Sequence, residues 1–338
     1  MIDGSISVVV PTYNRAHFIS RAIDSCLGQL EDRDELIIID DGSTDDTQRV
    51  VAEYGDRIRY IRTPNQGAGA ARNRGIREAK NPLLAFLDSD DEWLPGKIQI
   101  QRAFMQAMPD VLFSFTNFSY KVASGAEGRF ALVKWSKDYR SWDEILGKGR
   151  SISSVINLPE GYEDFTFHIG DMYLLLLFEG YINVNTLMIR RVEAGDALHY
   201  AEGTPTYEDW EFSSRIARAG KAAYLDIETA CQYNHGGPRL TDSHPTECAK
   251  TRVEIIERVY GSDAEFLRNH GAAYRKVLDE QRIKWIKGLI VRGELDKARE
   301  QLGMVTRPLL LLRLASILPK TAMGTALKVY RNLKKIIF

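Results

Sequence analysis

Two apolar runs that end abruptly in acid limit what this chain can fold into more than any other feature. The first is Leu36-Ile37-Ile38-Ile39 followed by Asp40-Asp41-Gly42-Ser43; the second is Leu83-Leu84-Ala85-Phe86-Leu87 followed by Asp88-Ser89-Asp90-Asp91. Four or five aliphatic residues bounded by Asp and Gly fit strands buried on both faces, as in a parallel sheet. The carboxyl ends of such strands open into the crevice where open α/β sheets bind ligands. Two carboxylates spaced as Asp-x-Asp leave a strand end on the same side. Hard oxygen ligands of that kind suit Mg²⁺ or Mn²⁺ holding a diphosphate. A nucleotide site at that edge is the expectation.

The residues between the runs support it. Ile6 to Val10 reads as a strand, and Pro11-Thr12-Tyr13-Asn14-Arg15 reads as the loop at its carboxyl end. A helix is predicted over 16–30 from the three- and four-residue spacing of Ile19, Ile23, Cys26, Leu27 and Leu30. A helix starting near Asp45, a short strand over 57–62 and a helix over 67–80 complete a strand–helix alternation, the signature of a parallel α/β sheet. From 110 to 200 the pattern weakens, with 111–118 and 181–189 as its clearest strands. Helical spacing returns over 208–219 and dominates from 246, where 282–302 resembles a helix pair. The expected division is one domain over 1–240, with halves 1–110 and 111–240, and a helical region over 241–338.

Composition excludes several classes. Lys and Arg number 45 against 46 Asp and Glu, a net charge of -1, and nucleic-acid binders carry a basic excess. Three cysteines without paired spacing indicate neither a zinc site nor a disulfide framework and fit a reducing cytosol. No secretory signal and no run near the ~20 apolar residues of a spanning helix is found. Residues 301–338 stand apart. They carry Arg307, Arg313, Lys320, Lys328, Arg331, Lys334 and Lys335 with no acid. On a helical wheel Met323, Leu327, Tyr330, Leu333 and Ile337 share one face and Lys328, Arg331 and Lys335 the opposite flank. That pattern suits an interfacial helix on anionic lipid at the inner face of the cell membrane; a helix docked on the protein is its bland alternative.

Val8-Val9-Val10-Pro11-Thr12-Tyr13-Asn14-Arg15, Asp40-Asp41-Gly42-Ser43-Thr44-Asp45, Asp88-Ser89-Asp90-Asp91 and Glu208-Asp209 resemble, in that order and at familiar spacing, the family 2 glycosyltransferases. The resemblance covers about residues 5–240. It implies a GT-A fold, a nucleotide-sugar donor of the UDP class, a divalent metal, Mn²⁺ or Mg²⁺, and inversion at the anomeric carbon. It further implies a glycan or lipid-linked acceptor in surface polysaccharide synthesis.

The residues themselves support the nucleotide half. Asp41, at a strand end, is placed to accept from a base N–H, and in similar enzymes that carboxylate meets uracil with Pro11 and Tyr13 beside the base; its alternative is a turn and helix cap. Gly67-Ala68-Gly69-Ala70-Ala71-Arg72 is no dinucleotide fingerprint, because Arg72 stands where the third glycine belongs. A guanidinium at that helix start can pair with phosphate oxygens, so Arg72 is the diphosphate candidate. Asp90 is the expected metal ligand, Asp88 a ligand of metal or ribose, and Ser89 lies between them on the donor side. Three neighbouring acids repel one another unless a cation is present.

Inversion needs a carboxylate opposite the leaving group to take the acceptor's proton. In the family the Asp of a Glu-Asp pair does this, which points to Asp209, with Glu208 second; an acid at a helix start is the alternative. His235, in Tyr233-Asn234-His235-Gly236-Gly237, could complete the metal shell, although relatives carry a basic residue where Asn234 stands. Trp135, Trp142, Tyr162, Phe165, Phe167, Tyr173 and Trp210 could stack on sugars or simply fill the core. Two rival functions are a sugar nucleotidyltransferase, which should show a glycine-rich loop after the first strand where Pro11-Thr12-Tyr13-Asn14 stands, and a non-catalytic scaffold of the same fold, against which the intact acids speak.

Overall fold

The computed structural model describes residues 4–122, 126–136, 138–204, 206–234 and 244–306. They form two compact units, one from the described part of 1–204 and 208–237, the other from that of 205–207 and 238–338.

In the first unit strands alternate with helices: β1 (Ile6–Thr12), α1 (Ile19–Leu27), β2 (Glu35–Asp40), α2 (Thr47–Ala52), β3 (Arg59–Arg62), α3 (Ala68–Glu78) and β4 (Leu83–Phe86). Every residue of β1 and β4 is buried, as expected for strands covered on both faces. Then follow β5 (Glu92–Trp93), α4 (Lys97–Ala107), β6 (Phe113–Val122), β7 (Glu127–Gly128), α5 (Leu132–Ser136), α6 (Trp142–Leu146), β8 (Arg150–Ser151), β9 (Thr166–Gly170), α7 (Tyr173–Phe178), β10 (Met188–Arg190), α8 (Arg191–Ala194), α9 (Glu208–Ala219) and β11 (Ala222–Asn234).

The sheet runs in the order β3-β2-β1-β4-β10-β6-β11-β9-β8. It is parallel from β3 to β4 and again between β6 and β11, while β10, β9 and β8 run antiparallel to their neighbours. The chain moves outward from β1 to β2 and β3, then returns to lay β4 on the other side of β1. That reversal is a topological switch point, and the crevice beyond the carboxyl ends of β1 and β4 is where such a sheet takes its ligand. Helix α3 lies tight on β1 because position 75 is glycine: a Cβ there would stand 2.2 Å from Val9 Cγ1.

Two elements differ from the sequence expectation. Residues 181–189 are not one strand, because Asn183 interrupts it. Its side-chain oxygen accepts from the Asn185 N–H at 3.0 Å and its carbonyl from the Thr186 hydroxyl at 2.7 Å, which curls 184–186 into a 3₁₀ turn before β10. The 13-residue β11 has no clean alternation in sequence, since its register against β6 shifts between Leu225 and Glu228 and again before Ala230.

The second unit is helical: α10 (Pro245–Ile255), a single π turn over Ile256–Tyr260, α11 (Ala264–Arg292) and α12 (Leu295–Gly303). Asp263 caps α11 through the N–H groups of Glu265 and Phe266, and Gly293 in the left-handed region, at φ 77°, ends it. Ile286, Leu289 and Ile290 of α11 then pack on Leu295, Ala298 and Leu302 of α12, the helix pair expected over 282–302.

Candidate active site

The first wall of the crevice is two loops zipped together. Asn14 adopts a left-handed conformation, φ 52°, which asparagine tolerates. Its side-chain oxygen thereby accepts from the N–H groups of Thr44 at 2.7 Å and Asp45 at 3.3 Å, while its own N–H donates to the Ser43 hydroxyl at 2.9 Å. Tyr13 stands beside this join, 44% exposed, and Pro11 lies buried at the end of β1.

Asp40 and Asp41 do different work. Asp40 is wholly buried and accepts from the Ser43 N–H at 2.7 Å and the Tyr60 hydroxyl at 2.5 Å, a turn-forming role. Asp41 accepts from the Gln66 N–H at 2.8 Å with one oxygen and the Gly67 N–H at 2.7 Å with the other, fixing the loop that enters α3. Each oxygen keeps a second lone pair, so a base N–H can still be received. Burial pushes this carboxyl up despite those two donors, with Asp40 adding repulsion. Asp41→Ala is expected to cost about 1–3 kcal/mol, because the part-buried hydrogen bonds from the Gln66 and Gly67 N–H groups are lost at about 0.5–1.5 kcal/mol each. Urea unfolding at pH 7.5 measures it; a loss under ~1 kcal/mol would mean that water replaces the carboxylate.

The second wall is the acidic turn after β4. Asp91 is buried with both oxygens engaged, one by the Tyr233 N–H at 2.8 Å and one by the Asn185 amide at 2.7 Å. Asp88 and Asp90 are the more open acids, with side chains 28% and 21% exposed. Asp90 lies 3.4 Å from Arg15 Nε, and its carbonyl accepts from Arg21 at 2.5 Å. Ser89 is buried between them. Burial and the charge of Asp90 raise the Asp88 carboxyl, with Arg72 pulling it back.

That crowding is what a cation would relieve. Among the described residues no three His, Cys, Asp or Glu side chains are grouped to enclose a metal ion. Two carboxylates completed by diphosphate and water oxygens are nonetheless an ordinary Mg²⁺ arrangement, so Asp88 and Asp90 fit such an ion. His235 lies outside the described residues.

Arg72 joins this wall to the third. It is 4% exposed and donates from Nη2 to Asp88 Oδ1 at 2.7 Å, while Nη1 lies 3.4 Å from Glu208 Oε1 and 3.2 Å from Asp209 Oδ1. Burial works against its charge, but Asp209, Asp88, Tyr200 and Glu208 together hold the guanidinium well above its ordinary range. The expected phosphate ligand is thus built in as the shared counter-ion of the acidic turn and the first turn of α9.

Asp209 stands in the first turn of α9 with its side chain 36% exposed. Burial raises its carboxyl to about 7, with Arg72 opposing and Glu208 and Asp88 reinforcing the rise. Its Oδ1 makes no hydrogen bond among the described residues, since Arg72 meets it as a charge and not along an aligned N–H. The helix that carries it is locked to α3. Asn73 accepts from the Tyr200 N–H at 2.8 Å and donates to the Tyr200 carbonyl at 2.9 Å, and the Tyr200 ring stacks on Phe212 of α9 at 4.0 Å. Position 69 must be small, because a Cβ there would come within 3.2 Å of the Ala201 carbonyl.

Sequence reasoning missed Asn73, Tyr200 and Asn185, whose residue types carry no motif. Of the aromatic candidates, Phe167, Tyr173 and Trp210 are core; Trp142 stacks on Tyr224 at 3.9 Å, and Trp135 is 47% exposed. The basic tail from 307 lies outside the described residues.

Comparison with known proteins agrees with this fold. Residues 7–158 match the family model "Glycosyl transferase family 2". An uncharacterized glycosyltransferase of Rickettsia felis is 43% identical over 118 residues, 34% of this chain and 19% of its own length. A UDP-Glc:alpha-D-GlcNAc-diphosphoundecaprenol beta-1,3-glucosyltransferase of Escherichia coli, WfgD, is 35% identical over 132 residues, 38% of this chain and 52% of that one. The chain thus spans between a fifth and about half of these relatives. The crystal structure of S. aureus TarS 1-349 in complex with UDP-GlcNAc covers 97% of this chain and 92% of its own at a TM-score of 0.61 and 18% identity, which shows the fold. Residues 7–158 are thus similar to glycosyl transferase family 2, and the fold is GT-A.

Proposed function

We propose that the protein is an inverting, metal-dependent glycosyltransferase that moves a sugar from a UDP-sugar to a hydroxyl of a glycan or lipid-linked acceptor in surface polysaccharide synthesis. The observation that carries this is Asp209: a carboxylate raised to about 7, with an oxygen free of hydrogen bonds, tied through one buried arginine to the acidic turn of a nucleotide crevice. A base with that pKa is matched to proton abstraction near neutral pH.

The steps balance within the site. Asp209 takes the acceptor hydroxyl proton as that oxygen bonds to the anomeric carbon, and the bond from that carbon to the β-phosphate oxygen breaks, its electron pair leaving with UDP. Asp88 and Asp90 would hold Mn²⁺ or Mg²⁺, which when bound neutralises charge on the departing diphosphate. Asp41, Tyr13 and Pro11 would take the base. The names of the relatives bear on the sugar donor and the acceptor: WfgD is named for UDP-Glc and a diphosphoundecaprenol-linked acceptor, and TarS was crystallised with UDP-GlcNAc.

Thermal stabilisation by a panel of nucleotide sugars, with Mn²⁺ and then chelator, tests the reading. A ligand at ~100 times its dissociation constant adds about 2.7 kcal/mol. A metal-dependent shift with one UDP-sugar, followed by UDP release on adding acceptor, is the expected result. No shift with any UDP-sugar would move the protein to the non-catalytic class.

The setting is the inner face of the membrane. No helix among the described residues is long and apolar enough to cross one, so attachment would rest on the basic tail. Deleting residues 307–338 removes its seven Lys and Arg residues, each worth about 1 kcal/mol near an anionic surface. The truncated protein is expected to leave the pellet in co-sedimentation with phosphatidylglycerol vesicles and to keep its turnover on soluble acceptor. Equal sedimentation of both forms would withdraw the membrane from the proposal.

A further inference from the structure

We propose that Asn185 is a positioning residue that sets the metal-binding turn, and that Asp91 is its internal counterpart and no ligand. This rests on the metal reading of Asp88 and Asp90 above. The 3₁₀ turn carrying Asn185 is fixed before its side chain is considered. Asn183 takes the Asn185 N–H, the Asn185 carbonyl accepts from Trp93 Nε1 at 2.7 Å, and the Thr186 carbonyl accepts from Gln101 Nε2 at 3.0 Å. The side chain, 1% exposed, has one direction left.

It uses both ends of its amide there. Oδ1 accepts from the Asp88 N–H at 2.8 Å, and Nδ2 donates to Asp91 Oδ2 at 2.7 Å. Asp88 and Asp91 are the two ends of one turn, already closed by the Asp91 N–H on the Asp88 carbonyl at 3.1 Å. Asn185 closes it a second time, from outside. With the Tyr233 N–H on its other oxygen, Asp91 is held inward and is 3% exposed, against the more open side chains of Asp88 and Asp90. The acid whose main chain Asn185 holds, Asp88, and the open acid Asp90 are left to face the crevice.

Only a group that accepts and donates at once can do this. Asp at position 185 would still take the Asp88 N–H but would set two carboxylates against each other; Leu would strand a donor and an acceptor. Groups behind metal ligands change metal affinity by about 10- to 100-fold when removed.

The test is the Mn²⁺ concentration for half-maximal UDP binding, by titration calorimetry, in wild type, Asn185→Asp and the double variant Asn185→Asp with Asp91→Asn. In the double variant donor and acceptor exchange sides, and the second oxygen at 91 still meets the Tyr233 N–H. The single variant is expected to need about 10- to 100-fold more Mn²⁺, with kcat at saturating metal within about threefold of wild type, and the double variant to return to the wild-type Mn²⁺ requirement. If the single variant fails to fold, the double variant restoring both fold and Mn²⁺ requirement supports the proposal. A single variant with wild-type Mn²⁺ requirement, or a double variant no better than the single, overturns it. Chelator-insensitive UDP binding in the wild type would instead sink the metal reading, and this proposal with it.

Discussion

Asp209→Asn is expected to lower kcat by about 10³-fold, within the 10²–10⁴ that a positioned general base supplies, and to leave the dissociation constant for UDP-sugar unchanged. The amide keeps the shape of the carboxylate but cannot take a proton. Below pH 7 the wild-type rate should fall tenfold per unit as Asp209, raised to about 7, becomes protonated; the residual rate of the variant should lose that limb. Stability should move the other way. A carboxyl raised above its unfolded value favours the folded state in its protonated form, and that contribution is lost as pH climbs through about 7. The variant should therefore melt above wild type at pH 8, with the difference closing toward pH 5. Single-turnover kinetics, binding and melting curves across pH 5–9 check all three. Near-normal turnover would place the base elsewhere, with Glu208, 3.4 Å from the same guanidinium, as the next residue to change.

Why Asp209 was legible in the sequence while its support was not is a matter of what a motif records. The acids lie at strand and helix ends, next to apolar runs whose period announces the element, so their places could be read one by one. What joins them is distant in sequence. Arg72 meets Asp209 across 137 positions and Asp88 across 16; nothing local in the sequence shows three carboxylates converging on it. Asn73 and Tyr200 form a backbone-like pair across 127 residues. Asn185 sits in a stretch whose hydrophobic content suggests a strand, and only the Asn183 side chain reveals the turn. The parallel half of the sheet was readable for the opposite reason: β1, β2 and β4 are short buried runs with local crossovers, whereas β11 breaks its own alternation at two register shifts.

Asp90→Ala is expected to abolish Mn²⁺-dependent UDP binding and to cut kcat by about 10³-fold, since a cation at a departing diphosphate is worth several kcal/mol. The turn should survive the change. It is closed by the Asp91 N–H on Asp88, by Asn185 and by the Tyr233 N–H, none of which uses the Asp90 side chain. Removing Asp90 also removes a charge that raises both Asp88 and Asp91, so the metal-free variant should be no less stable than wild type at pH 7.5. The groups that set Asp209 are Arg72, Glu208 and Asp88, without Asp90. The residual turnover of Asp90→Ala should therefore keep its midpoint near pH 7 while losing its response to Mn²⁺, the converse of Asp209→Asn, which loses the midpoint and keeps the metal. Calorimetric titration of UDP with Mn²⁺ and with chelator separates the two. A variant with wild-type Mn²⁺-dependent affinity would remove Asp90 from the shell and leave Asp88 as its ligand from the turn. A variant whose pH midpoint moved would show that the turn and the base are coupled through more than Arg72.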